Sequence, residues 1–474
     1  MASVAATGAQ YSDMETRSMT VEATNEQPPD EQGPDRQGAM EPASKVSSAR
    51  PLLPSQDPFY LPPSGFQALT AGSVVRCRRV DLALFGRIRQ QVNAWQLLYR
   101  TNNMRLEPEV SVTTVILPAN TGLLTPNRLL AYQCAIDAVA DRCFPSYALR
   151  HRSRALGAVP QFEWLLIANA LEQGWTVSVA DHGGPDGCFV APREPGYRVL
   201  DGVRAALGFE PLGLESDTPI AIWGYSGGGM ASSWVAEMAP TYAPEIGIAA
   251  AVLGAPVSDP GQLALQLNGT KFAGLSAIGI ASLQRCYAGL NKRIGTHINA
   301  EGQQILAAAG QLDTVRAGAR FADKNFNDHC DISLDALMAL PEIVEVFNDV
   351  RLGQHVPACP ILVLHPQHDQ IIDVKDVDAH VERYQAGGAQ VSYVRDRCSE
   401  HISLMLLSVP LALNWLKSRC QGEAPALSRI ATVRSLAVST KAIRGYIGLL
   451  VTAVKIVTGR PLGPAPARLS HDDR

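Results

Sequence analysis

Several features that mark particular protein classes are missing from this 474-residue sequence. Only 18% of the residues are charged and the formal net charge is −4, so the chain lacks the basic excess with which nucleic-acid-binding proteins neutralise phosphates. Its nine cysteines form no Cys-x-x-Cys pair and have no metal-ligand spacing. Binding to nucleic acid and a metal site are therefore not predicted.

No targeting segment is recognised at the beginning of the sequence. The first 20 residues, "MASVAATGAQYSDMETRSMT", contain neither a basic n-region nor an apolar core, so a secretory signal peptide is not recognised. Residues 1–50 are rich in Pro, Gln, Glu, Asp and Ser, and we expect them to form a disordered tail.

Cys398 and Cys420 flank one candidate helix and could pair in an oxidising compartment, with buried free thiols as the alternative.

The remaining chain, with 46% hydrophobic residues overall, alternates between short apolar runs and helical patterns. This alternation predicts an α/β fold with a mostly parallel sheet covered by helices on both faces. The predicted strands are 111–117, 129–135, 175–181, 219–224, 248–254, 360–365 and 390–395. The predicted helices are 162–174, 197–208, 229–239, 374–388 and 402–419, the last kinked or split by Pro410.

One interval departs from this alternation of strands and helices. Residues 256–350 have mainly helical patterns and no convincing strand, which indicates an insertion that would cap the carboxyl edge of the sheet. The predicted organisation is therefore a tail (1–50), an α/β core in two parts (51–255 and 351–422), a helical lid (256–350) and a C-terminal segment (423–474).

A glycine-rich turn holds the first candidate catalytic residue. Gly224-Tyr225-Ser226-Gly227-Gly228 lies between a predicted strand and a predicted helix and fits the Gly-x-Ser-x-Gly pattern of a nucleophile elbow. Glycines two residues before and after Ser226 would remove collisions with the neighbouring strand and helix. The pattern predicts that Ser226 is a nucleophile.

A serine nucleophile needs a histidine base and an acid, in the chain order Ser, acid, His. Asp369 follows a predicted strand 143 residues after Ser226, and His401 follows the next strand 32 residues later. Asp373 is the competing acid. The competing histidines are His365, His368 and His380, which we expect to pack or to face solvent.

An oxyanion hole needs two hydrogen-bond donors. The N–H of Gly227, the residue after the nucleophile, is one candidate. For the second, His182-Gly183-Gly184 is similar to the HGGG loop of esterases, but it follows the strand immediately before the elbow strand. The loop after strand 129–135 has the expected position, and Asp137 is its candidate residue.

Longer stretches resemble the secretory lipase family, the α/β-hydrolases related to fungal lipase A, in its actinobacterial branch. They include "AWQLLYRTNN", "AYQCAID", "CFPSYALR", "GWTVSVADHGGPDGCF", "GYRVLDGVRAAL", "GYSGGGMASSWVAEMAPTYAPE" and "GTKFAGL", within residues 55–420. The resemblance implies an α/β-hydrolase fold, a helical lid, hydrolysis of lipid esters, and secretion or a location in the cell envelope. It also implies a triad of Ser226, Asp369 and His401, with Asp137 and Gly227 at the oxyanion hole.

The candidate triad predicts an acyl-enzyme on Ser226 and requires no cofactor, and the family resemblance implies that the enzyme is a lipase or carboxylesterase. The alternatives are another enzyme on this fold, such as an acyltransferase or a peptidase, and a non-catalytic binding protein that keeps the scaffold.

The C-terminal segment 439–460 has an amphipathic pattern. Ile443, Tyr446, Ile447, Leu450, Val454 and Val457 share one predicted helix face, and Lys441, Arg444, Gly448, Thr452 and Lys455 share the other. The 10 uncharged residues between Arg444 and Lys455 are too few to span a bilayer. We expect the apolar face either to pack on the protein or to contact a membrane surface peripherally.

Overall fold

The computed structural model describes residues 49–120, 128–424, 428–438 and 440–464. The predicted tail 1–50 falls outside these residues except for positions 49 and 50. The described chain forms twelve strands, ten of which make one sheet. They are β1 (Val74–Arg79), β2 (Ala83–Leu84), β3 (Ile88–Arg89), β4 (Asn93–Asn102), β5 (Pro108–Leu117), β6 (Leu129–Gln133), β7 (Thr176–Ala180), β8 (Ile220–Tyr225), β9 (Ile248–Gly254), β10 (Ile361–Pro366), β11 (Val391–Asp396) and β12 (Arg429–Val433).

The strand order of the large sheet is β1-β4-β5-β7-β6-β8-β9-β10-β11-β12. The pairs from β1 to β7 are antiparallel, and every pair from β7 through β12 is parallel. The predicted α/β fold class with a mostly parallel sheet is confirmed. The order also shows that β6 lies between β7 and the elbow strand β8, so the loop after β6 is next to the elbow.

Sixteen α-helices are present in the described ranges. They are α1 (Pro145–Ala148), α2 (Val159–Phe162), α3 (Trp164–Glu172), α4 (Glu194–Leu207), α5 (Gly227–Tyr242), α6 (Pro260–Leu267), α7 (Ala273–Cys286), α8 (Ala288–His297), α9 (Ala300–Ala309), α10 (Thr314–Arg320), α11 (Leu334–Met338), α12 (Pro341–Val350), α13 (Val374–Ala386), α14 (His401–Leu407), α15 (Val409–Cys420) and α16 (Thr440–Thr458).

The two faces of the sheet carry different helices because side chains alternate along each strand. In β8, Ile222 joins the apolar cluster that contains α4, α5 and α13. Its neighbour Trp223 joins the cluster that contains α3, α15 and α16. The sheet is therefore covered on both faces. Helices α6–α12 follow β9 and fill the interval 256–350 before the chain returns to the sheet as β10.

Helices α14 and α15 bear on two predictions, a helix kinked or split by Pro410 and a possible disulfide between Cys398 and Cys420. The predicted helix 402–419 is divided at Ser408 into α14 and α15, and Pro410 lies in the first turn of α15, where its missing N–H needs no partner. Cys398 and Cys420, near the two ends of this helix pair, are both free thiols, so the disulfide that the sequence permits is not formed.

The C-terminal helix α16 packs on the protein through the face opposite to the apolar one, so the first of the two alternatives for the apolar face, packing on the protein, is not found. Ile443, Ile447 and Leu450, from the predicted apolar face, are 53%, 60% and 67% exposed. Thr452, from the predicted polar face, is buried. The reason is steric: Gly445 lies against Pro410, where a β-carbon would collide with the proline ring, so the small-residue face makes the closer contact.

Candidate active site

Ser226 occupies the sharp turn between β8 and α5. Its φ of 56° and ψ of −121° lie outside the regions favoured by L-residues, a strained geometry of the kind that a nucleophile elbow requires. The Ser226 N–H donates to the Gly254 carbonyl at 2.8 Å and holds the turn against β9. A β-carbon at Gly228 would collide with the carbonyl oxygen of Gln133 in β6, so glycine is required there.

His401 connects Ser226 to Asp369. The His401 Nε2 lies 3.0 Å from Ser226 Oγ, and the His401 Nδ1 lies 2.7 Å from Asp369 Oδ2. Asp369 follows β10, and His401 begins α14 after β11, so all three residues lie at the carboxyl edge of the parallel strands. The structure thus brings together the three residues that the chain order suggested.

Asp369 is held as a carboxylate. Burial alone would raise its pKa, but the hydrogen bond from His401, the charges of His401 and His365 and the N–H of Ile371 outweigh burial and lower the pKa. Its Oδ1 accepts from the N–H groups of Ile371 and Ile372 at 2.8 and 3.0 Å. The orientation of Asp369 toward His401 is therefore fixed by the backbone.

The competing residues have other environments. The Asp373 side chain caps α13 by accepting from the N–H of Lys375 at 2.9 Å. His365 is buried, and burial lowers its pKa to about 4. His380 is buried with its Nδ1 3.0 Å from Ser258 Oγ, and its pKa is lowered by burial to about 3. His368 is exposed to solvent.

Asp137 lies directly beside the first residue of α5. The carboxylate Oδ1 of Asp137 is so close to Gly227 that a β-carbon there would collide with it. Burial raises the pKa of Asp137 to about 6, although the charge of His401 opposes the rise. The N–H of Gly227 belongs to the first turn of α5, where amide groups have no partner within the helix. The Gly227 N–H, and the Asp137 carboxyl when it is protonated, are therefore the candidate hydrogen-bond donors in the cavity that Ser226 lines.

The loop that carries Asp137 is supported by two residues whose role sequence reasoning missed. Glu163 accepts from the Ala135 N–H at 3.0 Å and from the Tyr132 hydroxyl at 3.2 Å, and burial raises its pKa to about 8. His182 Nε2 lies 2.8 Å from the Cys134 carbonyl oxygen. An ionisable residue within the apolar run "FEWLLIANA" was the available signal for Glu163.

The segment His182-Gly183-Gly184, the less favoured oxyanion candidate, thus contacts the loop that carries Asp137 through His182. The Arg198 guanidinium donates to the His182 carbonyl at 3.1 Å and lies against Gly184, where a β-carbon would collide with it. This segment packs against the rest of the protein, whereas Asp137 lines a cavity together with Ser226.

A mostly apolar cavity opens at Ser226. Its volume, including the mouth, is about 640 Å³. Core residues Ser226, Asp137 and Gly227 form one wall, and most of the other walls come from the interval 256–350. The residues contributed by that interval are Val257, Pro260, Leu263, Ala264, Leu275, Ser276, Gly279, Ile280, Leu283 and Phe347.

A second cavity, with a volume of about 560 Å³ including its mouth, lies among the inserted helices. It shares Ala264, Ser276, Ile280 and Phe347 with the first cavity, so these four side chains separate the two spaces. Its remaining lining is apolar apart from the thiol of Cys330. The first cavity is therefore an apolar space at Ser226 that suits a hydrocarbon chain, and the second is a neighbouring apolar space on the other side of these four side chains.

Known proteins share both this fold and much of this sequence. The family model described as "Secretory lipase" matches residues 149–428. A Mycobacterium tuberculosis protein named "Probable inactive lipase MT1628" is 50% identical over 420 residues, which cover 88% of this chain and 94% of that protein. "Lipase A" of Arthroderma benhamiae is 31% identical over 424 residues, covering 87% and 90% of the two chains.

Among solved structures, Candida antarctica lipase A superposes with a TM-score of 0.77 at 25% sequence identity. The superposition covers 88% of this chain and 99% of that lipase. The central sheet with its surrounding helices is therefore an α/β-hydrolase fold. The match of the family model over more than half of the sequence, together with these relatives, shows that the chain belongs to the secretory lipase family.

Proposed function

We propose that the protein is a serine hydrolase of lipid esters, a triacylglycerol lipase or carboxylesterase, that works through an acyl-enzyme on Ser226. The observation that carries the proposal is the continuous hydrogen-bonded chain from Ser226 Oγ through His401 to Asp369. In such a chain the histidine can take the serine proton while the carboxylate stabilises the resulting imidazolium.

In the first half of the proposed reaction, Ser226 Oγ attacks the ester carbonyl as His401 Nε2 takes its proton. The oxyanion that develops accepts hydrogen bonds from the Gly227 N–H and from the protonated carboxyl of Asp137. A carboxyl with a pKa of about 6 can supply such a proton in mildly acidic solution. His401 then protonates the alcohol, which leaves.

In the second half, water takes the place of the alcohol. His401 removes a proton from the water as its oxygen attacks the acyl-enzyme, and the same oxyanion contacts stabilise the tetrahedral intermediate. Collapse returns the proton to Ser226 Oγ and releases the carboxylic acid. Each of these steps uses groups of this chain, the ester and water.

The shape and polarity of the cavities support a lipid acyl group as the substrate. The first cavity is lined mainly by apolar side chains and reaches Ser226, and the second lies beyond Ser276 and Ile280, which line both. An acyl chain in the first cavity would leave water and gain about 0.8 kcal/mol per buried methylene, and a longer chain would enter the second cavity by displacing the side chains between the two.

We propose that the interval 256–350 acts as the lid. It supplies most of the cavity wall that faces Ser226. It also contacts the oxyanion loop directly, since the Thr314 hydroxyl of α10 donates to the Asp137 carbonyl at 2.8 Å. Movement of these inserted helices would therefore change both the acyl site and the position of Asp137.

Because the M. tuberculosis relative is named "Probable inactive lipase MT1628", catalytic activity is the property to test in this protein. A panel of p-nitrophenyl esters of increasing chain length, an emulsified triglyceride and an aminopeptidase substrate tests the proposal. We expect turnover of the esters and the triglyceride and none of the peptidase substrate. Hydrolysis of the peptidase substrate without ester turnover would contradict it.

A further inference from the structure

The C-terminal helix α16 is attached to the protein along one narrow face. Leu449, Thr452 and Ile456 are buried, and the Asn169 amide of α3 donates to the Thr452 hydroxyl at 3.2 Å. The Tyr446 hydroxyl donates to the Leu407 carbonyl, 2.8 Å away at the end of α14. These contacts hold α16 in a fixed orientation, so its opposite face is a defined surface.

That opposite face is apolar and exposed. Six large aliphatic side chains of α16 form this surface, which we call the α16 stripe: Ile443 (53% exposed), Ile447 (60%), Leu450 (67%), Val451 (50%), Val454 (49%) and Val457 (56%). They are six of the 19 large apolar side chains that are exposed within the described ranges, on a helix of 19 residues. Scattered exposed apolar residues are ordinary, but a continuous stripe indicates a contact surface.

The sequence segment that contains the α16 stripe is rich in basic residues. Residues 424–471 contain seven Lys and Arg and no Asp or Glu, although the whole protein has a net charge of −4. Arg444 is exposed on the flank of the stripe. On the same flank, Lys455 pairs with Glu172 at 2.6 Å and keeps 28% of its side chain exposed. An exposed apolar stripe with a basic flank is the arrangement of helices that lie in the interface of anionic membranes.

We propose that the α16 stripe docks the protein on an anionic lipid surface, with α16 parallel to the membrane plane. Docking of a second copy is disfavoured because two segments of the same positive charge would be brought together. Within the described ranges no helix is long and apolar enough to cross a membrane. The contact is therefore peripheral, with aliphatic side chains among the acyl chains and basic side chains at the headgroups.

This surface is separate from the site of the proposed function. The family model ends at residue 428, before α16 begins. Yet α16 is bonded to the end of α14, the helix that begins with His401. A protein docked through the α16 stripe would thus hold the helix of its candidate base at the lipid surface. The proposal concerns binding and holds whether or not the protein turns over esters.

Co-sedimentation of the full-length protein with vesicles tests the proposal. One variant carries Ile447→Asn, Leu450→Asn and Val454→Asn in the α16 stripe. The matched control carries Leu61→Asn, Leu106→Asn and Leu156→Asn, three residues of similar exposure (61%, 58% and 67%) elsewhere on the surface. Vesicles of phosphatidylcholine alone are compared with vesicles that contain phosphatidylglycerol, at low and high salt.

We expect the wild type and the control to bind the anionic vesicles, and the stripe variant to bind about tenfold or more weakly with an unchanged thermal unfolding midpoint. High salt and omission of phosphatidylglycerol should each weaken wild-type binding. Absent wild-type binding, or equal losses in the stripe variant and the control, would overturn the proposal. So would sedimentation velocity showing a wild-type dimer that the stripe variant abolishes, without vesicle binding by either.

Discussion

His401 Nδ1 lies 2.7 Å from Asp369 Oδ2, and the backbone N–H groups of Ile371 and Ile372 hold the other oxygen of the same carboxylate. This geometry assigns the proton of the imidazole to Nδ1, because a carboxylate can only accept. Nε2 is then left with a lone pair directed at Ser226 Oγ, 3.0 Å away. Asp369 thus positions the candidate base in the tautomer that the proposed reaction needs.

Replacing Asp369 by Asn should lower kcat for ester hydrolysis by about 10⁴-fold, because an amide can donate to Nδ1 and favour the wrong tautomer. Asp373→Asn is the matched control. Asp373 caps α13, and Asn is an equally good capping residue, so activity and stability should remain close to wild type. The measurement is p-nitrophenyl ester turnover by the three proteins. A large loss in the Asp373 variant with normal turnover in the Asp369 variant would reverse the assignment of the acid.

The pKa of Asp137 predicts a specific pH dependence. If this carboxyl donates a hydrogen bond to the oxyanion, the contribution is present at low pH and is lost as pH rises through the pKa of about 6. An Asn at position 137 can donate at every pH. The ratio of Asp137→Asn to wild-type kcat should therefore rise with pH, by up to about tenfold per unit above the pKa. A ratio that stays constant from pH 5 to pH 9 would exclude this role for Asp137.

The sequence predicted the candidate site best where the proposed chemistry requires particular residues at fixed positions. Glycines are needed around Ser226 because this turn brings α5 against β6. The strand before the turn and the helix after it could be predicted from the pattern of their apolar residues. Asp369 and His401 could be placed because each follows a strand, and parallel strands bring their carboxyl ends to one edge. The proximity of these three residues is therefore a consequence of chain order and of the sheet.

Contacts between distant parts of the chain were harder to predict from the sequence. No local pattern specifies that β6 inserts between β7 and β8, or that β1 and β4 extend the sheet on its antiparallel side. Of the two alternatives for the apolar face of α16, packing on the protein is not found, because an amphipathic pattern reflects the placement of apolar side chains and not how closely two segments can approach. Gly445 allows closer contact with Pro410 than the larger aliphatic residues on the other face could make. Both cavities depend on contacts among inserted helices, which periodicity alone does not specify.

The wall between the two cavities predicts a change in chain-length preference. Ser276 lines both spaces and is buried, so Ser276→Phe should block passage from the first cavity to the second. We expect the ratio of kcat/KM for palmitate to that for butyrate esters to fall about tenfold or more, with butyrate turnover retained. Val315→Phe, an exposed position on α10, is the control and should leave the ratio unchanged. Equal losses for both esters would place the acyl chain elsewhere.

Turnover of a medium-chain p-nitrophenyl ester by wild type and Ser226→Ala, purified in parallel, tests the central claim most directly. Removing Oγ removes the nucleophile while the fold and the cavities remain. We expect clear wild-type turnover and a loss of about 10⁴- to 10⁶-fold in the variant, with an unchanged unfolding midpoint. Hydrolysis by Ser226→Ala at the wild-type rate, or a folded wild type no faster than buffer, would contradict the account.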